Sequence, residues 1–260
     1  MNEGGKPRSW PTRAEQRLRL GARVAWLTAL AVPHIALHFA WRLAGRPSPW
    51  PRAFLRAAAR ACGVHVTIVG APLTRDVFFV ANHLSWVDIP ILGGAVETVF
   101  VAQDKIEDWP LIGWLATLND TVFVSRTDRA GVAGQIALVR DAIADARPVT
   151  LFPEGTTTDG RSLLPFKPSL FAALDPPPRP LMIQPVVLAF DDAGSSLAWI
   201  GVEGGGDNAF RVLSRRGTFH VTVHFLRPFD PAPLDRKGIA AEARRRIAEG
   251  LSRVNGTPCR

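Results

Sequence analysis

Cysteine is almost missing from this 260-residue sequence: only Cys62 and Cys259 occur. That excludes a disulfide-stapled scaffold and any four-cysteine metal site. No G-x-x-x-x-G-K-[ST] loop and no G-x-G-x-x-G turn is present, so the common phosphate-cradling signatures are absent, and no internal repeat marks a solenoid. G-x-S-x-G, the nucleophile elbow of serine hydrolases, is absent too. Lysine is scarce: Lys6, Lys105, Lys167 and Lys237 are the only four, and arginine supplies the other positive charges. Charged residues make up 21% and hydrophobic residues 47%, which excludes a disordered or collagen-like chain. The length allows one large domain or two small ones around a real core.

The net charge of +8 is unevenly placed. Residues 1–60 hold eleven basic side chains against Glu3 and Glu15, a net of +9, and the remaining 200 residues balance at −1. A nucleic-acid enzyme would spread its basic residues around the site, whereas a basic leader beside apolar sequence suits an anionic membrane surface. From Val24 to Trp41, 18 residues carry no Asp, Glu, Lys or Arg. As a helix this run is about 27 Å long, just short of a ~30 Å hydrocarbon core. Two readings stand: a membrane-embedded or re-entrant helix, with Trp26 and Trp41 at headgroup level, or a buried core helix. The leader is long and lacks a well-placed A-x-A site, which disfavours a cleaved signal peptide. A second helix is expected from Pro51 to about Cys62, stopped by Gly63. Its Arg52, Arg56 and Arg60 share one face, either solvated or laid on anionic lipid.

From Val64 the pattern changes. Short β-branched or aromatic runs, His65–Val69, Val77–Ala81, Thr98–Ala102, Thr121–Val124, Val149–Phe152 and Met182–Leu188, alternate with helical stretches such as Val132–Ala146. Leu197–Ile200 and Phe219–Phe225 read as further strands, Ala240–Leu251 as a C-terminal helix, and the triple glycine at 204–206 as a loop. The fold class is therefore α/β, a mostly parallel mixed sheet flanked by helices, with an N-terminal membrane-associated helical segment. Residues 1–62 form that leader and residues 63–260 the main domain.

Ligands of α/β sheets collect beyond the C-terminal ends of the strands. Three strand ends here carry chemistry: Asn82-His83-Leu84-Ser85-Trp86-Val87-Asp88, then Ser125-Arg126, then Pro153-Glu154-Gly155-Thr156. With a turn or helix start between them, Asp88 can reach His83 Nδ1 and leave Nε2 as a proton acceptor. The same pair can equally be structural. Ser85 and Ser125 are nucleophile candidates without the usual context, so a substrate hydroxyl is the alternative attacker. Arg126 can hold a phosphate bidentately or make a surface ion pair. The Glu154-Gly155-Thr156 turn can present N–H groups to an anion or be a plain left-handed turn.

In order, the motifs N-H-x4-D at 82–88, F-V-S-R at 123–126, F-P-E-G-T at 152–156 and the proline-containing run 183–187 resemble the glycerolipid acyltransferases of the lysophosphatidate acyltransferase, or PlsC-like, type. The resemblance covers roughly residues 60–230. It implies the glycerolipid acyltransferase fold, with His83 as general base on a lysolipid hydroxyl and Asp88 orienting the imidazole. Arg126, Glu154, Gly155 and Thr156 would bind the acceptor. The donor implied is acyl-CoA or acyl carrier protein, as co-substrate, with no cofactor and no metal. The partners implied are a lysolipid acceptor and an anionic membrane surface, with no nucleic acid. The place implied is the cytoplasmic face of a bacterial inner membrane.

On this resemblance 1-acyl-sn-glycerol-3-phosphate is the first acceptor and lyso-ornithine lipid the alternative. Two departures bear on that choice: Gln103 and Thr157 stand where many members carry lysine and arginine, and the run 154–160 is similar to the lyso-ornithine lipid branch. Readings of another class are a serine hydrolase using Ser85 or Ser125, and a non-catalytic lipid-binding protein.

Overall fold

The computed structural model describes residues 12–107, 110–125, 132–256 and 259. Helix α1 (Arg13–Leu43) begins eleven residues before the uncharged run, because Thr12 and Glu15 form a reciprocal capping box at its start. Helix α2 (Trp50–Ala61) folds back against it. Trp50 meets both Trp41 and His34 edge-on, at ring separations of 5.5 and 5.7 Å. None of the residues of α1 is buried. By length and composition α1 is, among the described residues, the one helix able to cross a membrane.

Among the described residues seven strands follow: β1 (Val64–Val69), β2 (Val77–Ala81), β3 (Val99–Gln103), β4 (Val122–Val124), β5 (Val149–Leu151), β6 (Met182–Phe190) and β7 (Phe219–Phe225). They form one sheet in the order β1-β7-β6-β2-β5-β3-β4, parallel throughout except for the antiparallel β6–β7 pair. The expected mixed, mostly parallel α/β sheet is therefore what the chain builds. The interleaved helices are α3 (Asp88–Ala95), α4 (Pro110–Leu118), α5 (Val132–Ala144), α6 (Asp192–Ser195), α7 (Gly205–Ser214) and α8 (Arg236–Asn255).

Strand β2 lies mid-sheet and is buried on both sides, so it reads as the unbroken apolar run Val77-Phe78-Phe79-Val80-Ala81. Its alternate side chains feed two cores. Phe79 and Ala81 join Ile91, Leu92, Val212 and Phe219 on the face of α3 and α7. Phe78 and Val80 join Ile143, Phe171, Ile239 and Ile247 on the face of α5 and α8.

Three sequence expectations change. Leu197–Ile200 is not a strand. The carbonyls of Ser196 and Ala198 are taken by the Arg211 guanidinium, and Trp199 Nε1–H donates to Glu203 O at 2.7 Å, so no ladder forms. The triple glycine is the start of α7, with Gly204 as its extended N-cap. Of the arginine stripe on α2, Arg56 and Arg60 are exposed and Arg52 is half-buried, and two of the three are committed to backbone rather than left free on the surface. Arg52 and Arg56 donate to Ala95 O and Gly94 O, at 2.7 and 2.9 Å.

Candidate active site

Strands β2 and β5 are parallel neighbours, so the segments leaving their C-terminal ends share one rim of the sheet. The first delivers His83 and the second Glu154. Asn82 anchors the exit of β2: its amide donates to Leu188 O and accepts from Leu188 N–H on β6, at 3.1 and 2.8 Å.

Five residues after His83, the chain turns into α3 with Asp88 as the first helical residue, where the helix dipole favours a carboxylate. Asp88 is fully buried. Its Oδ2 accepts from Leu84 N–H at 2.6 Å and Ser85 N–H at 3.0 Å, and lies 2.7 Å from His83 Nδ1. An oxygen that already accepts two N–H groups supplies no proton, so Nδ1 is the donor and Nε2 is left basic. The His83 side chain is 20% exposed, and Nε2 has no hydrogen-bond partner among the described residues. The imidazole stacks on Phe152, the residue before Pro153, with centroids 4.3 Å apart.

Glu154 is nearly as buried as Asp88 and does not face the imidazole. Its two oxygens accept from His83 N–H at 2.9 Å and Leu164 N–H at 3.0 Å, clamping the β2 exit to the loop after β5. Burial pushes its carboxyl up to about 7, against the lowering effect of those two N–H donors. Gly155 occupies the left-handed region at φ +71, and an added Cβ would come within 2.9 Å of Lys167 Nζ. Thr156 is exposed. Thr158 closes the loop, with N–H and hydroxyl both donating to His83 O at 2.9 and 3.3 Å. The Thr157 hydroxyl donates to Trp199 O, which ties this loop to the segment before α7.

The expected pair His83–Asp88 is thus assembled, and Glu154, Gly155 and Thr156 sit beside it, with Glu154 acting on the backbone. Arg126 lies outside the described residues. Ser85 is fully buried, and its hydroxyl faces Asn208 Oδ1 at 3.5 Å, away from His83. Sequence reading missed Phe152 as a stacking partner, although it stands in the motif. It also missed Asn208, Glu203 and Arg211, which lie more than a hundred residues away. The Arg211 guanidinium and the Asn208 amide hold the Glu203 carboxyl down at about 2. Chemically, the site offers an oriented base opening toward solvent, and the Ser85 hydroxyl is directed to Asn208 rather than to that base.

Comparison with known proteins agrees with this geometry. The sequence profile of the Acyltransferase family matches residues 64–189. A lyso-ornithine lipid O-acyltransferase of Rhodobacter capsulatus is 38% identical over 204 residues, 73% of this chain and 72% of that protein. One from Rhizobium meliloti is 32% identical over 80% of this chain and 76% of its own length. A 1-acyl-sn-glycerol-3-phosphate acyltransferase of Neisseria gonorrhoeae is 32% identical over 54% of this chain and 55% of its own. The crystal structure of PlsC from Thermotoga maritima, at 19% identity, shares the fold with a TM-score of 0.64 over 92% of this chain and 98% of its own.

Proposed function

Because the chain belongs to the PlsC-like acyltransferase family, we propose that it is a lysolipid O-acyltransferase whose acceptor is lyso-ornithine lipid. The observation that carries the chemistry is the 2.7 Å contact between His83 Nδ1 and the buried Asp88 carboxylate, with Nε2 left unpartnered among the described residues.

In this reading Nε2 takes the proton of the acceptor hydroxyl as its oxygen attacks the thioester carbonyl of acyl-CoA or acyl carrier protein. Asp88 stabilises the imidazolium. When the carbon–sulfur bond breaks, the departing thiolate recovers that proton. General-base assistance of this kind contributes roughly 10²–10⁴ in rate, and positioning of the two substrates adds more. Glu154 sets the backbone of His83 and shapes the turn that ends in Gly155 and Thr156, which would line the acceptor site with Arg126.

Two observations support a headgroup without phosphate. Four relatives named lyso-ornithine lipid O-acyltransferases align over 72% or more of their own lengths. Thr157, standing where many family members carry an arginine, has its hydroxyl committed to Trp199 O. The unburied α1, with Trp26, Val32, Phe39 and Leu43 exposed, would seat the enzyme in the membrane from the cytoplasmic face, where both donors are found.

The test is to offer purified enzyme a labelled acyl donor with lyso-ornithine lipid and with lysophosphatidate in parallel. Preferential labelling of lyso-ornithine lipid is expected. Preference for lysophosphatidate would reassign the acceptor, and no transfer to either would overturn the proposal.

A further inference from the structure

Four arginines of the basic leader end on backbone carbonyls at the C-termini of two helices in the main domain. From α1, Arg19 Nε–H donates to Ser214 O at 3.0 Å, and Arg23 Nη1 donates to Val212 O and Leu213 O at 3.1 and 3.0 Å. These carbonyls belong to the last turn of α7. From α2, Arg56 and Arg52 do the same to Gly94 O and Ala95 O, in the last turn of α3. Last-turn carbonyls have no partner within their own helix and carry the negative end of its dipole, so each guanidinium meets a favourable charge. The α2–α3 contact is close. A Cβ on Gly94 would lie 2.7 Å from Arg56 Cα, and one on Gly93 would lie 2.6 Å from Leu55 Cδ1.

Both clamped helices carry the candidate site at their opposite ends. Helix α3 begins at Asp88 and is eight residues long, about 12 Å from clamp to carboxylate. Helix α7 holds Asn208 in its first turn, buried and against the hydroxyl of Ser85, the residue whose N–H donates to Asp88. A reading of the leader as mere surface basicity does not account for this arrangement, because Arg52 and Arg56 donate to carbonyls of α3 while Arg60, one turn further on, is exposed and makes no such bond among the described residues.

We propose that Arg19, Arg23, Arg52 and Arg56 are positioning residues: the α1–α2 hairpin holds α3 and α7 from behind, and so sets Asp88 and the Ser85–Asn208 contact against His83. The inference rests on the acyl-transfer reading of that site. A displacement of about 1 Å at a reacting group can cost on the order of 10² in rate, so releasing the clamp is a kinetic perturbation even where the fold survives.

The experiment compares full-length wild type, the double variant Arg52→Ala/Arg56→Ala, Arg52→Lys/Arg56→Lys and Arg60→Ala. Acyl transfer is measured alongside the low-field proton resonance of His83 Nδ1–H, assigned by its absence in His83→Ala. The alanine pair is expected to keep its far-ultraviolet circular dichroism and to lose at least ten-fold in kcat. KM for both substrates should stay within two-fold, and the Nδ1 proton should move or broaden. The lysine pair, still able to donate to the carbonyls, is expected to recover most of the rate and the resonance, and Arg60→Ala to resemble wild type. Should the alanine pair fail to fold, Arg52→Ala alone carries the same comparison. A folded variant with wild-type kcat and an unmoved proton would overturn the clamp, as would an equal loss in Arg60→Ala, which would mark a general charge effect. The proton resonance needs no substrate, so it tests the clamp separately; a wild type inactive on every acceptor would instead overturn the proposed function.

Discussion

Changing Asp88 to asparagine separates the charge of that carboxylate from its shape. Oδ2 faces three N–H groups, of His83, Leu84 and Ser85, while Oδ1 is buried with no partner among the described residues. An asparagine oxygen in the place of Oδ2 keeps all three bonds. The flipped amide would set its NH2 against three donors, at about 1–3 kcal/mol for each one left unpaired. The amide is therefore held one way round, and the Nδ1–H tautomer of His83 survives. What disappears is the negative charge beside the imidazolium that forms as the acceptor loses its proton. At a charge separation of about 4 Å and an effective dielectric of 20, that attraction is worth ~4 kcal/mol, or roughly 10³ in rate. Asp88→Asn is thus expected to lower kcat by about 10³, with little change in the acceptor's KM. Its melting temperature should fall by several degrees, because the amide NH2 takes the buried place of Oδ1, where no acceptor stands among the described residues, and the three bonds to Oδ2 lose their charge assistance. Transfer of a labelled acyl group, paired with scanning calorimetry, measures both. A variant keeping more than a tenth of the activity would refute the electrostatic reasoning, and an unchanged melting temperature would refute the reasoning about the buried carboxylate.

Three further outcomes follow from the same contacts. Burial raises Glu154 to about 7 from an ordinary 4.5, so the stability it contributes is present below about pH 4.5 and is lost as pH rises through 7. Over that window wild type is expected to lose up to about 3 kcal/mol relative to Glu154→Gln in urea titrations, and a pH-independent difference between the two would contradict the assignment. Ser85→Ala removes a hydroxyl that faces Asn208, so it should retain most of the activity with no trappable acyl-enzyme; a hundred-fold loss would revive the serine-hydrolase reading. Gly94→Ala places a methyl within 2.8 Å of two backbone atoms of Arg56 and is expected to cost about 1–3 kcal/mol. That corresponds to a fall of several degrees in melting temperature, and an unchanged melt would show that α2 and α3 can separate freely.

The sheet was largely legible in the sequence because its strands are short apolar runs bounded by polar turns, and β2 is the clearest of them. The ordered motifs behind β2 and β5 also located His83, Asp88 and Glu154, since a parallel sheet brings successive strand ends to one rim. The misreadings have physical sources. Helix α3, to which the sequence reading assigned no element, contains Pro90, Gly93 and Gly94, a poor helical composition by propensity, and close approach of α2 leaves no room for side chains at the two glycines. Glycines 204–206 read as a loop, although Gly204 serves as the N-cap of α7. Leu197–Ile200 is apolar enough for a strand, but its neighbouring carbonyls bond to an arginine from α7. The spacing of Arg52 and Arg56 reveals a common face and cannot reveal what that face meets; their partners lie about forty residues downstream. For Glu154 the sequence offers an acceptor-binding role, and what it could not reveal is that both oxygens also accept backbone N–H groups from His83 and Leu164.

The most direct measurement replaces His83 itself. In a single-turnover assay with enzyme in excess over labelled acyl donor and lyso-ornithine lipid, wild type should convert the acceptor to its doubly acylated form. His83→Ala, at equal folded concentration, should fall by at least 10³. If the alanine variant transfers the acyl group at a rate near that of wild type, the imidazole is not the base and the account of the site fails.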